Sequence, residues 1–133
     1  MRTDFTLCFP GRLLCRISPR FHLRMICRAI ELEPYVWQRA FALGRINSLP
    51  GKRTRGNGKT TAVMLRLLML PPGAPQKQAE NILASDPDWQ PVKLQSFCAG
   101  YARLYLRLQI DCCAHGIPVS NLENTVFRKY LCK

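Results

Sequence analysis

Three features of the sequence predict a mainly α-helical protein. Apolar residues recur at helical spacing over most of the chain, helix stop signals separate those stretches, and no segment joins strand alternation to hairpin turn chemistry. The expected architecture is a small single-domain bundle of about five helices over residues 30–133, preceded by a basic, loosely structured arm over residues 1–29. At 133 residues the chain is long enough to bury a core of its own.

Residues 1–29 hold six arginines, no lysine, one acid and two prolines, with apolar residues in no sustained period, hence the expected arm. Met25 is a second start codon candidate, and an upstream extension without a role is the alternative for residues 1–24. From Glu33 to about Ser48 the pattern turns helical. Pro34 suits a first turn, and Trp37, Ala40, Phe41 and Gly44 share one face. Thr60 to Leu70 predicts a short helix whose one strongly polar interior residue is Arg66, so it should be the central, most buried element.

Pro71, Pro72 and Pro75 end that helix, and Gln76 to Ala84 predicts the next, with Ala79, Ile82 and Leu83 on one side. The stretch SDPDWQP, residues 85–91, reads as a turn-rich connector in which Asp86 and Asp88 are turn formers. The longest helix should run from about Lys93 to His115 with a packing seam at Leu94, Phe97, Tyr101, Leu104 and Leu108. Gly116 and Pro118 mark its end. SNLE at 120–123 reads as a capping box for a last helix bearing Leu122, Val126 and Tyr130.

Charge is the outlying property. Twenty Lys plus Arg against eight Asp plus Glu give a net +12, a field that attracts polyanions. Nucleic acid, DNA or RNA, is the expected partner, followed by an acidic or nucleic-acid-binding protein. Seven cysteines with no CxxC pair fit reduced thiols in a cytoplasmic compartment. The arginines of the first 28 residues interrupt any secretory apolar run, and no apolar run is long enough to span a bilayer, so no membrane partner is expected.

The stretch KRTRGNGKTT, residues 52–61, concentrates the candidate chemistry. Lys52, Arg53, Arg55 and Lys59 fall within eight positions without an acid, on a loop loosened by Gly56 and Gly58, just before a helix N-terminus. Such a loop can follow a phosphodiester backbone. The segment also resembles the GKTT-helix element of P-loop nucleotide-binding proteins, most like the abbreviated versions in small phage-encoded and mobile-element proteins. That resemblance covers about a dozen residues. It implies Lys59 as a phosphate contact, Thr60 as a magnesium ligand and Gly56 with Gly58 as shapers of the loop, and only on that reading are Mg and ATP or GTP expected as cofactors. Arg53 stands where the motif's first glycine belongs, residues 34–48 read as helix where the motif needs a strand, and Asp111, the one acid ending an apolar run, lies in a helical segment.

Arg103 and Arg107 lie one turn apart on the long helix and with Tyr105 could grip phosphates and stack a base. The alternative is an ordinary solvated face with a half-buried tyrosine. In DCCAHG, residues 111–116, neighbouring cysteines project about 100° apart on a helix, which suits buried thiols better than a metal site. No metal ligand and no catalytic residue is assigned. The expected function is a small basic nucleic-acid-binding accessory protein of phage or mobile-element type. It would contact phosphates through Lys52, Arg53, Arg55, Lys59, Arg66, Arg103 and Arg107. A degenerate P-loop nucleotide binder, or a basic inhibitor that occludes an acidic or nucleic-acid-binding site, are the alternatives.

Overall fold

The computed structural model describes residues 5–47, 49 and 58–131. Those residues form seven α-helices, one 3-10 turn and no strand. The helices are α1 (Phe9–Ile17), α2 (Pro19–Ala29), α3 (Val36–Ala42), α4 (Lys59–Leu68), α5 (Gln76–Leu83), α6 (Gln95–Ala114) and α7 (Arg128–Leu131), with the 3-10 turn at Leu122–Asn124. The mainly helical class stands, with more and shorter helices than the five expected.

Helix α4 is the centre. Its residues Ala62 to Leu65, Leu67 and Leu68 are fully buried, and α2, α3, α5 and α6 all pack on it. A ten-residue helix with one polar interior position can bury nearly its whole circumference, so burial fell where the apolar run lies. The other helices each contribute one stripe: Leu23 and Ile26 from α2, Phe41 from α3, Ala79 and Leu83 from α5.

The expected loose arm is instead α1 and α2. Ser18 ends α1, its N–H bonding the Leu14 carbonyl at 2.8 Å, and starts α2, its Oγ accepting the Phe21 N–H at 3.3 Å ahead of Pro19. Serine followed by proline is a strong helix start. Ahead of α1 the Leu7 N–H bonds the His115 carbonyl at 2.7 Å, Phe5 stacks on the His115 ring at 4.3 Å, and Arg28 lies over Phe5 at 4.6 Å. Residues 5–7 are thus docked on the end of α6, while α1 packs on α2 and α2 joins the core through α4 and α6, so the segment is not a loose arm.

Helix α3 ends at Ala42, earlier than the 33–48 span predicted, because the Gly44 and Arg45 N–H groups turn back onto the Phe41 and Ala40 carbonyls. Gly44 therefore closes the helix instead of lying on its face. The end of α6 is as expected: Gly116 sits at φ 74°, its N–H on the Cys113 carbonyl and that of Ile117 on the Cys112 carbonyl, both at 3.0 Å. A side chain there would place its Cβ 2.9 Å from the Leu7 carbonyl oxygen, so Gly116 also admits the N-terminal segment.

The buried stripe of α6 is Cys98, Tyr101, Ala102, Tyr105, Gln109 and Cys112, which shares Tyr101 with the expected seam but runs one residue out of phase with its Phe97, Leu104 and Leu108. Polar ends enter because they find partners. The Tyr105 hydroxyl lies 2.7 Å from Ser120 Oγ and accepts the Leu122 N–H at 3.1 Å, Ser120 Oγ donates to the Leu67 carbonyl at 2.7 Å, and Gln109 donates to the Ser120 carbonyl at 2.9 Å. Ser120 is therefore part of an interhelical knot and not the cap of a last helix; after it come only the 3-10 turn and the four residues of α7. The turn at 85–91 behaves as predicted. Buried Asp86 accepts the Asp88 N–H at 2.9 Å and the Tyr101 hydroxyl at 2.8 Å, and Trp89 packs edge-on against Tyr101, Phe127 and Tyr130.

Candidate nucleic-acid interface

Helix α2 carries Arg20, Arg24 and Arg28 at intervals of four, so they climb one face with a rise of about 6 Å per step and a drift of about 40°. With His22, Leu23, Ile26 and Cys27 turned into the core, that arginine row lies on the exposed face of the helix, Arg28 also resting over the Phe5 ring. The chain then reverses through residues 30–35 and enters α3. There the Tyr35 N–H is held by Gln38 Oε1 at 2.8 Å, satisfying one of the groups that a helix start leaves free. Arg39 on α3 and Arg45 just past its end face the same space as the α2 row.

The result is a groove of about 610 Å³ between α2 and α3, lined by all five arginines. Leu23, Leu32, Val36, Ala40 and Leu43 supply its apolar walls, and Glu33 is its one carboxylate. All five arginines are exposed. Like charges one turn apart destabilise a helix by about 0.2–0.5 kcal/mol per pair, so the two α2 pairs are tolerated by the fold rather than required by it. Cys27 lies against the groove with its thiol pushed up to about 11 by burial, a rise that outweighs the opposite pull of Arg39. A thiol held that high stays protonated and unreactive near neutral pH.

The residues singled out from sequence fare unequally. Lys52, Arg53, Arg55 and Gly56 lie outside the described residues. Gly58 is at φ 87°, and a Cβ there would meet the Gln38 side-chain amide at 2.4 Å, while the Gln38 amide donates to the Gly58 carbonyl at 3.0 Å. Backbone conformation and close approach to α3 thus account for this glycine without a bound phosphate. Lys59 is buried at 7% exposure in the first turn of α4, beside half-buried Thr60.

Arg66 is engaged by the protein itself. Its guanidinium bonds Asn47 Oδ1 at 3.1 Å and the Ile46 carbonyl at 3.4 Å and lies over the Phe41 ring at 4.8 Å, stapling the segment after α3 onto α4. Tyr105 is fully buried, about 160° around α6 from both Arg103 and Arg107, so it cannot stack a base beside them. Its phenol is pushed up to about 12, chiefly by burial. Arg103 and Arg107 do point outward together on α6, on the face opposite its buried stripe. In DCCAHG, Cys112 is buried and Cys113 exposed, and the His115 ring contacts the Phe5 carbonyl.

Sequence reasoning passed over the α2–α3 groove although a signal was present: arginines at 12, 16, 20, 24 and 28 repeat every four residues. That is a helical period carried by the charged face instead of the apolar one. Comparison with known protein families, with curated proteins and with solved structures finds no match to this chain.

Proposed function

We propose that this protein binds nucleic acid through phosphate contacts made by the α2–α3 groove, with Arg103 and Arg107 and the basic 52–59 loop as additional contacts. The observation that carries the reading is the convergence of Arg20, Arg24, Arg28, Arg39 and Arg45, contributed by three consecutive segments, on one groove with a single opposing carboxylate. Five arginines gathered around one carboxylate repel one another, and a phosphate chain is the ligand that turns this repulsion into bidentate hydrogen bonds. The overall charge of +12 acts in the same direction over longer range, raising the encounter rate with any polyanion.

The contacts are with backbone phosphate, so binding is expected to be general in sequence and steeply dependent on salt. Fluorescence anisotropy with generic labelled oligonucleotides tests this. Affinity should fall on the order of a hundredfold between about 50 and 200 mM salt. Arg24→Glu should weaken binding more than Arg103→Glu, because it also introduces an acid amid four other groove arginines. Binding that ignores salt, or no binding at low salt, contradicts the reading.

A further inference from the structure

We infer that the nucleic acid taken by this groove is single-stranded, with an unpaired base stacked on Tyr35. The inference rests on the phosphate-binding reading above and adds a base subsite to it. Tyr35, 64% exposed, immediately precedes α3 with its ring nearly parallel to that of Trp37, the centroids 6.4 Å apart and 17° between planes. A large aromatic ring so exposed, backed by a second ring, is a rigid platform with one open face. On either side of it in sequence, Pro34 and Val36 line the groove, and Val36 is 85% exposed. Trp37, behind it, comes within 3.7 Å of where a Cβ at Gly58 would lie. The ring pair therefore belongs to the turn that carries two groove-lining residues, with Trp37 close to the start of α4.

Duplex nucleic acid has little use for this arrangement. Its bases are stacked on one another and offer only edges and phosphates, which a convex pair such as Arg103 and Arg107 would serve equally well. A single strand brings phosphates for the arginines and free base faces for the tyrosine and the apolar wall. Aromatic rings interleaved with a basic track are the general means of holding such strands without sequence preference. The groove's volume lies within the usual range for ligand-sized clefts, ample for one base beside the backbone.

Anisotropy titrations of the full chain with a labelled 12-nucleotide single-stranded DNA, the corresponding RNA and the blunt DNA duplex test the inference. Both single strands should bind more tightly than the duplex. Tyr35→Ala should weaken single-strand binding about 5- to 150-fold with little change for duplex, the range found for losing one stacked base. Tyr35→Phe should stay close to wild type because the ring face is kept. The ring is exposed, so circular dichroism should show both variants folded. If Arg24→Glu weakens binding but Tyr35→Ala does not, or if the duplex is preferred, the base subsite is wrong and the phosphate reading survives. If neither strand form binds at low salt while an acidic protein does, both fall.

Discussion

The hydroxyls of Tyr105 and Ser120 together link α6, the segment 120–122 and α4. The Tyr105 oxygen accepts the Leu122 N–H and lies within hydrogen-bonding distance of both Ser120 Oγ and the Ser120 carbonyl, while Ser120 Oγ passes its own proton to the Leu67 carbonyl of α4. Removing the phenol oxygen leaves a buried N–H unpaired. Tyr105→Phe should therefore cost about 1–3 kcal/mol in urea unfolding. Ser120→Ala should cost a similar amount, and the double variant less than the sum, since the two hydroxyls belong to one chain of bonds. Strict additivity would show the knot to be incidental. His22 gives a pH signature. Its Nε2 lies 2.6 Å from the Pro118 carbonyl, and burial, partly offset by that bond, holds its pKa below the ordinary 6.5. A folded-state value below the unfolded one means that the unfolded chain binds the proton more readily. This contribution is complete above about 6.5 and is lost as the pH falls from there through the folded-state value. The thermal midpoint should decline across that window, and His22→Gln should flatten the decline relative to wild type. Identical slopes would remove His22 as the cause.

Helix ends decide how the pieces meet, and Gly116 is the sharpest case. Gly73 and Gly116 both have positive φ, but a Cβ at Gly73 meets nothing within 4 Å whereas one at Gly116 runs into the Leu7 backbone. Gly73→Ala should cost about 1–2 kcal/mol from conformation alone. Gly116→Ala should cost clearly more and expose Phe5 and Leu7; equal costs would mean that the N-terminal segment is not docked there. The glycine and the following proline made the end of α6 readable in advance, and the dense apolar run did the same for α4. The start of the chain was harder for a physical reason. Phe9, Leu13 and Ile17 on α1 face solvent rather than the core, and the phase restarts at Ser18 and Pro19, so no single apolar stripe runs through residues 9–29. In the α6 seam Tyr101 was legible, whereas Leu104 and Leu108 stood in for Tyr105 and Gln109 because leucine outranks tyrosine and glutamine as a core residue until their partner Ser120 is in view. Of the expected site, the outward pair Arg103 and Arg107 was legible from helical spacing alone. Arg66 and Tyr105 were not, because their partners Asn47 and Ser120 are 19 and 15 residues away in sequence.

The molecule as a whole is a helical body with a net charge of +12, and in the function proposed the α2 arginine row is the place where that charge meets its ligand. Arg20, Arg24 and Arg28 are exposed and repel one another, and relief of that repulsion offsets the loss of the Arg28 contact with Phe5, so Arg20→Gln, Arg24→Gln and Arg28→Gln combined should leave the thermal midpoint nearly unchanged. The same triple variant should lose binding. The most direct measurement is the slope of log affinity against log salt for a single-stranded oligonucleotide, compared between wild type and this variant. Each phosphate contact on a single strand contributes about 0.7 to that slope, so removing three should make it shallower by about 2. A folded triple variant whose slope and affinity match wild type would contradict the account, because the charge that binds phosphate would then lie elsewhere on the protein.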